Sequence, residues 1–207
     1  MSQNHWENVY KTKEVDQVSW YQAQNDQFLD ILKSLAIKAD QQIIDVGSGA
    51  SILIDQLIEA GYSNLYVLDL SKIALEKTQS RLVDKGLTTE NINWVVGDIC
   101  AVSLPEQFFD LWHDRAVFHF MTTDEQQEHY LANLKGALKK GGYLVMSIFA
   151  EDGPTQCSGL PVQRYSIEQL QTRLGPDFTL VRFQKDLHKT PWDSEQKFLT
   201  SIWKFNG

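Results

Sequence analysis

Apolar residues recur along this chain in two rhythms that take turns. Asp26 to Ile37 carries Phe28, Leu29, Ile31, Leu32 and Leu35 at i, i+3, i+4 spacing, which predicts an amphipathic helix. Gln42-Ile43-Ile44-Asp45-Val46 is a short apolar run that predicts a buried strand ending at a glycine turn, Gly47-Ser48-Gly49. Helical spacing returns from Ile52 to Ala60, with Gly61 as its stop. Leu65 to Leu70 predicts a second strand. Ser71 then caps a helix running to about Lys85, with Gly86 after it. Ile92 to Val96 and Phe108 to His113 predict the third and fourth strands. Thr123 and Gln126 form a capping box for a helix from Asp124 to Lys139, Gly141-Gly142 closes it, and Tyr143 to Phe149 is the fifth strand.

Five strands separated by helices predict a parallel sheet with right-handed crossovers. The remainder departs from that rhythm. Ala150 to Gln163 is rich in Gly, Pro and polar residues and is longer than a plain connection. Ser166 and Gln169 cap one more helix. Phe178 to Phe183 and Phe198 to Phe205 then follow without a helix between them, so they predict an antiparallel hairpin at the sheet edge. With 207 residues, 43% hydrophobic and 22% charged, the chain reads as one domain that buries a real core, which excludes a disordered tail or a disulfide miniprotein. Its net charge of −8 repels a phosphate backbone and argues against a nucleic-acid partner. No run approaches the roughly 20 apolar residues of a membrane span. The polar start, Met1 to Glu7, lacks the features of a secretion signal. Two cysteines, Cys100 and Cys157, are too few for a stapled framework, so the expectation is a cytoplasmic protein away from membranes.

Candidate chemistry gathers at the strand ends. In open α/β sheets, ligands bind outside the carboxyl ends of the strands, where the strand order reverses. Gly47-Ser48-Gly49 occupies that place after the first strand, where glycines permit close backbone approach and the next helix offers free N–H donors. Asp69, at the end of the second strand, is placed to accept both hydroxyls of a ribose. Asp98, directly after the third, is placed to accept from an exocyclic purine amine. Together they predict a nucleoside-containing ligand. A dinucleotide is disfavoured: the third glycine of G-x-G-x-x-G falls on Ile52, and a second mononucleotide half is missing. Asp45, two residues before Gly47, repels a pyrophosphate and suits an ammonium or sulfonium instead.

These segments resemble a known family. Ile43-Ile44-Asp45-Val46-Gly47-Ser48-Gly49, Leu68-Asp69-Leu70-Ser71, Gly97-Asp98-Ile99 and Leu138-Lys139-Lys140-Gly141-Gly142-Tyr143-Leu144 resemble the motifs of class I S-adenosylmethionine-dependent methyltransferases. The resemblance covers about Ile43 to Phe149, and Ser51 stands where the family usually has a third glycine. It implies an α/β, Rossmann-like, seven-stranded sheet of order 3-2-1-4-5-7-6, with strand 7 antiparallel and helices on both faces. It further implies one domain divided into an N-terminal lid (1–25), a cofactor-binding core (26–149) and a substrate loop, helix and hairpin (150–207). The implied cofactor is S-adenosyl-L-methionine. Asp45, Gly47, Ser48 and Gly49 would hold its methionine portion and Asp69 its ribose. Leu70, Asp98 and Ile99 would meet the adenine, while His113, Asp114 and Arg115 would lie near the methionine end. Trp6, Tyr10 and Trp20 resemble a cover that closes over the cofactor; the other reading packs them on the sheet.

Methyl transfer from a sulfonium is an in-line displacement, and a base is needed only for a protonated nucleophile. His119 is the first candidate base and His113 the second, against a reading of His119 as a packed core residue. Arg115 either anchors an anionic substrate or pairs with Asp114. The types of His113, Asp114 and His119 suit zinc, but no spacing fixes a geometry, so no metal site is expected. The leading expectation is methylation of an O, N or S nucleophile on a small molecule. A protein-lysine methyltransferase is the runner-up, and a non-catalytic cofactor-binding protein the third reading.

Overall fold

The computed structural model describes residues 2–23 and 25–207; Met1 and Gln24, both within the segment expected to be a lid, lie outside it. The chain opens with α1 (Gln3–Thr12), followed by α2 (Asp26–Ser34), β1 (Ile43–Val46), α3 (Leu53–Glu59), β2 (Leu65–Asp69), α4 (Lys72–Asp84) and β3 (Ile92–Val96). Then come β4 (Phe109–Arg115), α5 (Asp124–Ala137), β5 (Leu138–Phe149), the short pair β6 (Gln156–Cys157) and β7 (Leu160–Pro161), α6 (Ile167–Leu174), β8 (Phe178–Lys189) and β9 (Glu195–Phe205). The main sheet has the order β3-β2-β1-β4-β5-β9-β8. β9 pairs antiparallel with both β5 and β8, and the other pairings in this sheet are parallel. Leaving aside the β6–β7 pair, this is the expected seven-stranded order. Among the described residues, no helix is long and apolar enough to cross a membrane.

Strand alternation sorts the core into two layers. Ile44, Val46, Trp112, Leu144 and Met146 face α5 and α6, meeting Tyr130, Leu134 and Leu170. Ile43, Leu111 and Val145 face the other way, onto Phe28, Ile31 and Leu32 of α2 and Leu53, Ile54 and Leu57 of α3. β1 is buried along its whole length because both faces are covered, as expected for a central parallel strand.

Two expected boundaries are corrected. The α5 pattern ends at Ala137, not Lys139, and Leu138 passes straight into β5, opposite Phe109. Gly141-Gly142 therefore sits within the strand at an irregularity and does not stop a helix. A Cβ on Gly142 would come within 3.0 Å of the Asp110 carbonyl, so the close backbone approach demands glycine. The terminal strands also run longer than the apolar pattern marked. Polar residues 184–189 and 195–197 continue the ladder to a turn where the Thr190 and Ser194 hydroxyls bond at 2.7 Å.

A buried polar chain braces the end of β4. Asp114 is fully buried, and its carboxylate accepts from the Val117 and Phe118 amides, each at 3.0 Å, and from the Tyr130 hydroxyl at 2.5 Å. Tyr130 in turn accepts from Trp112 Nε1 at 3.0 Å. Burial pushes Asp114 up to about 6 against these bonds. Asp114 is thus occupied in shaping the turn after β4. This corrects its expected place at the cofactor and, of the two readings of Arg115, removes the one that pairs it with Asp114. Tyr130→Phe should cost about 1–3 kcal/mol in urea unfolding, because it strips a donor from a buried carboxylate and an acceptor from the Trp112 indole.

Candidate active site

The turn after β1 is held from three sides. The Gly47 and Ser48 amides donate to the Leu68 carbonyl at 2.7 and 3.1 Å. Gly47 and Gly49 both adopt positive φ, +65° and +58°, where a side chain is strained. A Cβ on Gly47 would lie 2.0 Å from Val117 Cγ2, and one on Gly49 would lie 2.2 Å from the Tyr10 hydroxyl. Arg81 of α4 closes the back of the turn, donating to the carbonyls of Ala50 and Ser51 while paired with Asp55 of α3. Ser51, where the family's third glycine is usual, accepts from the amide of Leu53, the first residue of α3.

Asp69 joins this turn to the next strand end. Its Oδ2 accepts from the Gly49 amide at 2.8 Å, and its Oδ1 from the Ser71 amide at 2.7 Å. Burial raises it to about 6 against those bonds, helped by the charges of Asp45 and Glu7. Asp98 accepts from the Cys100 amide at 2.9 Å and lines the same cavity as Asp69, with Leu70 and Ile99 beside it.

Two adjoining cavities meet at these strand ends. The first holds Asp69, Leu70, Asp98 and Ile99. The second holds Asp45, Ser48 and His113. Tyr10, Trp20, Gly47 and Arg115 border both. Asp45 Oδ1 lies 2.6 Å from His113 Nδ1, while the Phe28 ring covers the imidazole at 4.1 Å between centroids. Asp45 Oδ2 and Ser48 Oγ are buried without a hydrogen-bond partner. Unsatisfied buried acceptors beside a glycine cradle fit a ligand that brings donors, as the ammonium of a methionine portion does.

Three expected site residues stand elsewhere. Asp114 is committed to the turn described above. Gly49 is set back beneath Tyr10, its amide spent on Asp69. His119 is fully buried between Phe120 and Phe149, outside both cavities. Its Nδ1 accepts from the Phe149 amide at 3.4 Å. Burial, and then the charge of Arg115, push it down to about 3, so it is a poor base at neutral pH.

The opening segment lies over the site. Trp6 contacts Trp20 and Phe120 edge-to-face at 5.7 and 5.2 Å between centroids. Glu7 holds α1 in place: its carboxylate accepts from the Ser71 hydroxyl at 2.7 Å and from the Lys72 and Ile73 amides at 2.9 and 3.2 Å, at the N-terminus of α4. Burial raises Glu7, but these bonds win and leave it below the usual carboxylate range. Neither Glu7 nor Arg81 was visible as a site residue in the sequence, because each acts on an element 26 to 66 positions away.

Among families of known proteins, the one described as "Methyltransferase domain" matches residues 44–146. EEF1A lysine methyltransferase 2 of Danio rerio is 29% identical over 170 residues, which is 80% of this chain and 61% of that protein. A solved structure concerned with conversion of a disulfide bond into a thioacetal group during echinomycin biosynthesis superposes with a TM-score of 0.78 at 16% identity, over 99% of this chain and 93% of that one. Burkholderia thailandensis 1,6-didemethyltoxoflavin-N1-methyltransferase, solved with 1,6-didemethyltoxoflavin and S-adenosylhomocysteine bound, gives 0.70 at 20% identity, over 86% of this chain and 76% of that one. Residues 44–146 of this chain are a methyltransferase domain. The two structural likenesses are of fold. The chain spans less than two thirds of the length of the zebrafish relative.

Two outcomes follow for the methyltransferase. Between about pH 4 and pH 6, folded Asp69 keeps a proton that the unfolded chain has lost, so stability falls as pH rises through that window. Asp69→Asn should make that fall shallower in urea unfolding at successive pH values, the share due to Asp114 remaining. Glu7→Ala should raise the hydrogen exchange of the α1 amides at Val9 and Tyr10 by about fivefold, roughly 1 kcal/mol, with the β1 amide of Ile44 unchanged.

Proposed function

We propose that this chain moves the methyl group of S-adenosylmethionine to a nucleophilic atom of a small molecule bound beneath α1. The enclosure of the acceptor side carries this reading. Trp6, Tyr10, Phe120 and Cys157 border the first cavity and are each less than a tenth exposed, which favours a compact acceptor over a protein surface. S-adenosylmethionine supplies, when bound, an electrophilic methyl group on a sulfonium. In this reading Asp69 accepts from the ribose hydroxyls, Asp98 from the adenine amine, and Leu70 and Ile99 flank the base. Asp45 and Ser48 receive the ammonium beside the Gly47 backbone.

The rest of the work is positioning and exclusion of water. Trp6, Tyr10 and Trp20 put aromatic faces beside the place where a cation must sit, which adds cation–π attraction. His113 is the base of choice for a protonated acceptor: it borders the second cavity, and the bond to Asp45 orients its ring. His119, outside the cavities, takes no part.

A second reading, transfer to a lysine of a protein, draws on the name of the zebrafish relative at 29% identity. Incubating the purified chain with methyl-tritiated cofactor and a cell lysate separates the two. Label in the small-molecule filtrate is expected. Label confined to the retained protein would reject the small-molecule acceptor in favour of lysine.

A further inference from the structure

We propose that β8 pairs edge to edge with β8 of a second copy of this chain, about a two-fold axis at Gln184, so that the sheet continues across a dimer. The surface lies outside both cavities and is independent of the acceptor.

β8 is the last strand of the sheet and pairs on one side only, with β9. At 12 residues it is about twice the usual length of a strand. Outside that ladder, residues 179–189 make no backbone hydrogen bond among the described residues, so a row of N–H and C=O groups stays open. Edges are commonly blunted by proline, charge or a bulge. β8 has a bulge at Val181, but from Arg182 to Lys189 its ladder is regular, with neither proline nor glycine. Of the six exposed large apolar side chains among the described residues, three stand on this strand: Val181, Phe183 and Leu187, at 48%, 46% and 52% exposure. Lys185, between Phe183 and Leu187 on one face, is bound to Glu151 at 2.6 Å, so its charge is already matched.

The opposite face carries Arg182, Gln184 and Asp186, turned towards α2. Arg182 donates to Ser34 Oγ at 3.3 Å, and Asp186 accepts from Gln27 at 3.3 Å and from Gln184 at 2.7 Å. Neither Arg182 nor Asp186 has an ion-pair partner among the described residues. When a strand pairs antiparallel with its own copy, each face stays on its own side, so the axis passes through a residue. With the axis at Gln184, Arg182 meets the partner's Asp186 twice over, Phe183 meets the partner's Lys185, and Val181 comes beside the partner's Leu187. With the axis at Arg182, Lys185 or Asp186, that charge opposes its own copy. At Leu187, Lys185 opposes Lys189; at Phe183, Asp186 meets Leu180 across the bulge. Like charges directly opposite destabilise a pair of strands. The strand is therefore complementary to itself in one register, which favours a second copy as its occupant.

The test is sedimentation velocity on the full chain with positions 182 and 186 altered singly and together. Wild type is expected to pass from monomer to dimer between about 5 and 500 µM, as suits a small interface. Arg182→Asp and Asp186→Arg each set like charges opposite one another twice and weaken the dimer by about tenfold or more. The two changes together restore both pairs and return the affinity to within about threefold of wild type. Oxidation of Gln184→Cys gives a covalent dimer, because the axis brings the two thiols face to face. Arg182→Cys, about 13 Å from its copy, gives no more than wild type does. Wild type that stays monomeric at about 500 µM, or a dimer indifferent to both single reversals, overturns the inference and leaves the edge open to a strand of another protein.

Discussion

The carboxylate of Asp69 is the constraint on which the site depends. A parallel strand that turns into a helix exposes backbone N–H groups at its carboxyl end, and buried donors of that kind must be met. Asp69 meets one from the turn after β1 and one from the start of α4, tying two successive strand ends together. Ser71 then passes the connection on, since its hydroxyl donates to Glu7 of α1. The glycine turn, the Asp69 carboxylate and α1 are therefore parts of one hydrogen-bonded assembly. Disturbing any of them is felt by the others.

Charge in a poorly solvated space organises the rest. Asp114 and Asp69 are both raised to about 6 by burial yet held by several donors. His119, among aromatic rings and near Arg115, is kept neutral. His188, whose ring nitrogen meets the Ser19 carbonyl at 2.7 Å, is lowered by burial and by the same arginine. Burial first, and then one guanidinium, lowers both histidines. In such a setting the distinction between a residue that faces the cavity and one packed behind it matters more than residue type. It separates His113 from His119, which lie six positions apart in the chain.

Much of the fold was legible because it rests on local periodicity. The strand at Ile92–Val96 and the capping boxes at Thr123 and Ser166 stand where their patterns place them. The errors have a common source. Gly141-Gly142 reads as a helix stop when only neighbours in sequence are considered, yet its role is set by the Asp110 carbonyl of an adjacent strand. The last two strands are longer than their apolar runs because partners across the ladder, not side-chain polarity, carry the pairing of residues 184–189 with 195–200. Asp114 looked like a ligand residue from its position at a strand end, but its side chain alternates inward, to Tyr130.

By itself the sequence determined the alternation of strands and helices, the glycine turn, and the acids at the carboxyl ends of β1, β2 and β3, since each is written in short-range spacing. Only the tertiary structure decided which of these groups reach a common space. It placed Tyr10 over Gly49, spent Asp114 and His119 in the core, and brought Arg115 and Asp45 to the same cavity. Those outcomes depend on strand register and on contacts between residues tens to more than a hundred positions apart, which no local pattern encodes.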